Sequence, residues 1–270
     1  MSAKGYSLHL GLNRVEPTHY GGWDGALNAC EADAKDMQAI AKKLGFKSDL
    51  LLTSAASSAN VVSRLINLAA TLAAGDILWL TYSGHGGQMP DTNHDEADGQ
   101  DETWVLFDRQ LIDDELYALF AKFKAGVRII VLSDSCHSGT VTRAMPPRPG
   151  EAPAARVRLM PPDVALRTFQ AHAALYKAIQ KATPPSEKGG AKAAVLLISG
   201  CQDNQTSLDG ARNGLFTEKM LKTWNDGKFT GNYKHFRDRI AALMPATQTP
   251  NFFKAGATNG SFEAQKPLTI

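Results

Sequence analysis

Cysteine is scarce in this chain: Cys30, Cys136 and Cys201 are three thiols in 270 residues. They are odd in number, far apart and form no CxxC pair, which excludes a disulfide framework or a cysteine-rich zinc site and leaves free thiols as the expectation. Long hydrophobic runs are missing too. No stretch reaches the roughly 18 apolar residues of a membrane span, and MSAKGYSLHLGLNRV lacks the apolar core of a secretory signal. Neither sign of charge dominates, since 29 Lys and Arg face 27 Asp and Glu for a net +2, so no global field draws the chain to nucleic acid or a membrane surface. The expectation is a soluble, cytoplasmic protein that binds neither. No internal repeat at a fixed period is evident.

What is present is a core-forming composition, 43% hydrophobic, arranged as short apolar runs alternating with longer helical patterns. That alternation is the signature of βαβ units and a mainly parallel sheet covered on both faces. Strands are expected near Tyr6 to Leu12, Ser48 to Thr53, Asp76 to Tyr82, Val127 to Ser133, Ala193 to Ser199 and Gln248 to Phe253. Helical spacing of apolar residues covers Asp24 to Leu44, Asn60 to Ala73 and Asp113 to Phe123. Trp104 to Phe107 is short enough to be one arm of a hairpin. One segment differs in kind: from Arg143 to Arg158, RAMPPRPGEAPAARVR is dominated by proline and arginine and reads as an exposed, poorly ordered insertion.

Two strand ends carry chemistry. Ser133-Asp134-Ser135-Cys136-His137-Ser138-Gly139 follows one buried strand, and Ser83-Gly84-His85-Gly86-Gly87 follows another. In open α/β sheets the carboxyl edge is where ligands bind, and parallel neighbours would project His85 and Cys136 from the same edge. A thiol beside an imidazole is the minimal arrangement for nucleophilic catalysis, the thiolate attacking and the imidazolium protonating the leaving amine. Gly86 has no side chain to keep a substrate carbonyl away, so its N–H and that of Cys136 could form an oxyanion hole. His85, His94, Cys136 and His137 are metal-ligand types, but their spacing matches no ligand pair on a helix.

The stretches Tyr-Ser-Gly-His-Gly at 82 to 86 and Asp-Ser-Cys-His-Ser-Gly at 134 to 139 resemble the paired signatures of the caspase-like cysteine peptidases, in particular the metacaspases and their prokaryotic relatives, the orthocaspases. Weaker matches are Ala29-Cys30-Glu31-Ala32-Asp33-Ala34 with Met37, the acidic stretch Asp95 to Glu102, and Ile198 to Thr206, so the resemblance runs from about residue 6 to about 253. It implies an α/β protein with a three-layer α/β/α caspase-hemoglobinase-like fold and a mainly parallel six-stranded sheet. Residues 1-270 would form a single peptidase domain: 1-142 resembling the large subunit, 143-192 a linker region with a helical segment, and 193-270 resembling the small subunit.

The resemblance further implies that Cys136 is the nucleophile and His85 its acid/base partner, acting on peptides or proteins after Arg or Lys. Cys30, Asp33, Ser83 and Asp134 would line the pocket for the basic side chain, and a desolvated guanidinium does need carboxylates. Arg143, Arg148, Arg156 and Arg158 become candidate self-cleavage sites. No cofactor is needed for the chemistry. Calcium is a candidate activator, with Asp98, Asp101, Asp113 and Asp114 resembling part of the family's aspartate group, although Thr140-Val141-Thr142-Arg143 puts an arginine where an acidic ligand is expected. The resemblance also implies a monomer. Two other readings remain open: a catalytically silent caspase-like scaffold, and a cysteine hydrolase of a non-peptide acyl or amide bond, because fold and dyad alone do not fix the substrate.

Overall fold

The computed structural model describes residues 2–94, 96, 98–136, 156–183, 190–201, 205 and 207–270. Apolar runs become strands and amphipathic stretches become helices in the order β1 Gly5–Gly11, α1 Cys30–Lys43, β2 Lys47–Leu52, α2 Ser58–Thr71, β3 Ile77–Ser83, β4 Gly86–Pro90, β5 Gln100–Val105, β6 Gln110–Ile112, α3 Asp113–Phe120, β7 Arg128–Asp134, α4 Pro162–Ala171, α5 Ala173–Ala182, β8 Ala194–Ser199, α6 Leu215–Trp224, α7 Tyr233–Ala241, β9 Asn251–Gly256 and α8 Gly260–Ala264. Six strands form the central sheet in the order β2-β1-β3-β7-β8-β9. All its neighbours are parallel except β8 and β9.

The central strands read as near-continuous apolar runs because both faces are covered. Alternate residues split between two cores: Leu78, Leu80, Ile129 and Val131 pack with α2 and α3, whereas Ile77, Trp79, Ile130 and Leu132 pack with α1, α6 and α7. This is the three-layer α/β/α arrangement. Trp104 belongs to β5, the middle strand of a separate antiparallel sheet ordered β4-β5-β6, so the hairpin expectation extends to three strands. Among the described residues no helix is long and apolar enough to cross a membrane.

Two boundaries differ from the sequence reading. The helix expected from Asp24 begins at Cys30, because the preceding segment turns through Gly21, Gly22 and Gly25, all at positive φ, where glycine carries no Cβ penalty. The last strand begins at Asn251 rather than Gln248, directly after Pro250, which has no N–H for a ladder. A third difference is larger. Residues 156 to 160 are not a loose loop: Arg158 is completely buried, and α4 and α5 follow, with Phe169 and Tyr176 packed on Met89 and Ile112.

The candidate active site and its occupant

Parallel register between β3 and β7 sets Ser83 directly beside Asp134 at the carboxyl edge of the sheet. Asp33, on the first turn of α1, reaches the same point, and Ser83 Oγ donates to its Oδ2 at 2.7 Å. Asp209 comes from the chain beyond β8; its carboxylate accepts from the backbone N–H groups of Asn28 (2.7 Å) and Ala29 (3.2 Å). Those amides lead into α1 and lie where a helix leaves donors unpaired and favours negative charge. Asp134 in turn accepts from Ser207 Oγ at 2.5 Å and from the Thr217 amide and hydroxyl at 3.1 and 2.8 Å. Three buried carboxylates therefore converge on one small space. Cys30 borders the group, fully buried, its thiol pushed up to about 12 mainly by burial.

The guanidinium of Arg158 fills that space. Nη2 lies 2.8 Å from Asp33 Oδ2 and 3.0 Å from Asp209 Oδ1, and Nη1 lies 2.9 Å from both Asp134 Oδ2 and Ser83 Oγ. Planar, forked donors meeting several carboxylates is the geometry arginine satisfies and lysine does not. Burial pulls the Arg158 pKa down, but Asp134, Cys30, Asp33 and Asp209 more than reverse this and leave it above its ordinary value. At Gly214 the fit is tight enough that a Cβ would stand 2.5 Å from Arg158 Cζ and from Asp134 Oδ2.

The backbone of residues 156 to 160, hereafter the strap, is held as precisely as the side chain. Upstream it pairs antiparallel with residues 207 to 209: the Arg158 N–H donates to Ser207 O at 2.9 Å and the Asp209 N–H to Arg156 O at 2.7 Å. Downstream it switches to a parallel bridge between Leu159 and Gly86. Where the two modes meet, the carbonyl oxygen of Arg158 accepts from the Gly86 N–H at 3.0 Å and the Cys136 N–H at 3.2 Å. These are the two donors expected to stabilise an oxyanion. Only glycine permits this approach, since a Cβ at Gly86 would lie 1.5 Å from Cys136 O.

Cys136 supplies one of those donors and His85 directly precedes the other, Gly86; both side chains are buried. His85 Nε2 lies 3.0 Å from Gly25 O; a carbonyl only accepts, so the proton sits on Nε2 and Nδ1 carries the lone pair. Nδ1 has no hydrogen-bond partner among the described residues. The ring leans on Trp23, 4.8 Å between centroids, and its loop is anchored by Tyr82, whose hydroxyl lies 2.6 Å from His85 O. Burial pulls the His85 ring down to about 4. The Cys136 thiol is pushed well above its usual range by burial first and then by the neighbouring Cys201, while the Ser207 N–H, 2.6 Å from Sγ, acts the other way. With the strap in place both groups are therefore neutral at pH 7.

Every residue assigned to a pocket or dyad thus falls at one locus: Cys30, Asp33, Ser83, His85, Gly86, Asp134 and Cys136. Sequence reasoning missed Asp209 and the contact between Cys201 and Cys136. The sequence carried no local signal for Asp209, which stands well beyond the end of β8 at Ser199. Of the proposed cut sites, Arg143 and Arg148, like His137, lie outside the described residues. Arg156 is exposed, its guanidinium on Ala26 O at 2.8 Å, and Arg158 is the buried one, against the expectation of exposure.

The acidic stretch gathers differently from the expected set. Glu96, Glu102 and Asp113 bring ligand oxygens within 4.8 Å of one another. Of the four aspartates named for calcium only Asp113 belongs. Asp98 accepts from the Gln100 N–H at 3.1 Å, Asp101 accepts from the Gln180 amide, and Asp114 from Asn93 Nδ2 at 2.8 Å. Burial, followed by Glu102, Asp101 and Asp114, pushes the Asp113 carboxyl well above the usual range.

Comparison with known proteins bears on the family and the fold. The sequence model of the caspase domain family matches residues 15–260. Metacaspase-1 of Mycosarcoma maydis is 30% identical over 251 residues, covering 80% of this chain and 60% of its own, and Metacaspase-1 of Schizosaccharomyces pombe is 28% identical, covering 78% and 56%. The chain thus spans a little over half the length of these relatives. A Geobacter sulfurreducens protein of known crystal structure is 52% identical with a TM-score of 0.90, covering 99% of both chains. Caspase-1 from Spodoptera frugiperda, at 10% identity and a TM-score of 0.58 over 94% of this chain and 87% of its own, shares the fold.

Proposed function

The chain belongs to the caspase-domain family of cysteine peptidases, and on that premise we propose that it is an arginine-directed endopeptidase whose first substrate is its own Arg158–Leu159 bond. One observation carries the reading: the Arg158 side chain occupies a carboxylate pocket while its own carbonyl oxygen rests on the Gly86 and Cys136 amides. That is the placement a scissile residue must have.

The steps follow from the atoms. Cys136 Sγ attacks the Arg158 carbonyl carbon as its proton passes to His85 Nδ1, and the developing oxyanion stays on the two N–H donors. Collapse breaks the C–N bond to Leu159, whose nitrogen takes the proton from His85, leaving a thioester at Arg158. Water, deprotonated by the same imidazole, hydrolyses it and restores the thiol. Arginine in an exposed, extended stretch of another protein would enter by the same backbone pairing once the strap has left. Lysine offers a point charge instead of a fork and should be the poorer substrate.

Incubation of the wild-type chain should yield a new N-terminus at Leu159 by mass spectrometry, and Cys136→Ala should yield none. Absence of that terminus, or its appearance in Cys136→Ala, overturns the reading. We further propose calcium as an activator. Glu96, Glu102 and Asp113 offer hard oxygen donors whose mutual repulsion a divalent cation would relieve, and its chemistry there would be structural, tying Glu96 to β5 and to the start of α3. A chelator should slow the appearance of Leu159 in wild type, with Asp113→Asn giving the slow rate regardless of calcium.

A further inference from the structure

Met160 is the one strap residue beyond the scissile bond that is buried as deeply as Arg158, at 1% exposure. It packs with Val15, Tyr20 and Val105 of the catalytic body, with Trp23 alongside and Val164 and Ala165 of α4 closing the cluster. Tyr20 is fixed by a hydrogen bond from its hydroxyl to Leu106 O at 2.7 Å, and Val105 by its N–H to His85 O at 3.0 Å. The wall is therefore built on the elements that position the imidazole. Trp23 touches both Tyr20 and His85.

Register links this pocket to the chemistry. The Gly86 N–H holds the Arg158 carbonyl, and the Gly86 carbonyl accepts from the Met160 N–H at 2.8 Å. Any extended peptide that places its scissile carbonyl on the Gly86 amide is thereby set with the second residue after the cut over Val15, Tyr20 and Val105, since main-chain pairing fixes the spacing of alternate side chains. A charge delivered there would be desolvated against apolar walls with no partner.

We infer that this cleft is a specificity subsite on the leaving-group side, which selects peptides carrying a large apolar residue two positions after the arginine. The inference rests on the peptidase reading above and deepens it: selectivity is read on both sides of the cut, by charge before it and by apolar burial after it. The chain's own Arg158-Leu159-Met160 satisfies both conditions. Arg156, followed by Val157 and then Arg158, meets the first and fails the second.

The test uses the full chain and decapeptides copying residues 154 to 163. In the chain, Met160→Leu, Met160→Ala and Met160→Asp are followed for formation of the Leu159 N-terminus. In the peptides the same replacements are offered to enzyme already cut after Arg158, which removes any effect on folding. Burial of a methionine-sized side chain sets the expected scale: Met and Leu equivalent, Asp lower in kcat/KM by on the order of 10- to 100-fold, Ala between. Cleavage after arginine at equal rates for Met and Asp peptides overturns the subsite and leaves the peptidase reading intact. A ranking seen in the chain but not in the peptides also overturns it and makes Met160 only an anchor for α4. No Cys136-dependent cleavage after arginine in chain or peptide removes both.

Discussion

Asp33, Asp134 and Asp209 put three carboxylates around a single guanidinium, so the pocket is held against its own repulsion by hydrogen bonds and by the arginine it binds. Asp33 shows the tension: burial pushes it up to about 6, Arg158 pulls it down and Asp134 raises it again. That value holds with Arg158 in place to lower it, so Asp33 stands higher in an empty pocket; only the ionised carboxylate pairs with a guanidinium, and affinity therefore falls as pH drops toward about 6 and levels off below it. On an Arg158→Ala chain, whose pocket holds no arginine of its own, calorimetric binding of agmatine should weaken as pH is lowered toward about 6 and change little below that. The limiting slope is about tenfold per pH unit for one linked proton. In Asp33→Asn the curve should be flat and weak throughout; a slope that survives this substitution assigns the titration to another group. Gly214 makes a steric prediction at the same scale. A methyl group there meets Arg158 Cζ and Asp134 Oδ2 at 2.5 Å, and Gly214→Ala should slow formation of the Leu159 terminus by on the order of 100-fold, because a bound arginine can no longer seat its carbonyl on the oxyanion donors. An unchanged rate would mean that the guanidinium does not reach this deep during reaction.

At the scale of elements, the strap is a peptide strand laid across the sheet edge, tied by five backbone hydrogen bonds and one ion-paired side chain. Breaking a buried charge pair by removing one partner costs about 3–5 kcal/mol, so the arginine is the principal anchor. In a Cys136→Ala background, trypsin should leave the bond after Arg158 intact and cut slowly after the exposed Arg156. Adding Arg158→Ala should accelerate that cut by at least about tenfold, because the strap lifts. Equal trypsin rates would show that the backbone pairing holds it alone. The central strands were legible from residues because burial on both faces writes uninterrupted apolar runs, and the two strand-end motifs because the carboxyl edge of such a sheet collects function. The docking of the strap was not legible. An arginine among prolines looks solvated until Asp33, Asp134 and Asp209, separated by most of the chain, are folded around it. Asp209 was hidden for the same reason: its carboxylate serves the start of α1, a contact across 181 and 180 residues. The short strands β4 and β6 carry too few residues to show a period.

For the whole molecule, cutting after Arg158 divides the sheet between two polypeptides, β1 to β7 on one and β8 and β9 on the other. The division runs through the middle of the core. β7 and β8 pair in register from Arg128 with Ala194 to Ser133 with Ser199, and the cluster of Trp79, Ile130, Met37, Phe216 and Trp224 draws on both pieces. Nothing in that interface depends on the severed bond, and the cut opens only the connection between β7 and β8, whose closure entropy grows slowly with its length. The cut protein should therefore run as two bands in denaturing gels and elute from gel filtration at the volume of uncut Cys136→Ala. The same profile tests the monomer: the outer strand β2 alternates exposed and covered positions with Lys47 and Asp49 outward, a charged edge of the kind that discourages strand pairing between copies. Separate elution of the pieces would show that the strap, rather than the core, holds the halves together, and an earlier peak common to cut and uncut protein would show that a charged edge does not keep the copies apart.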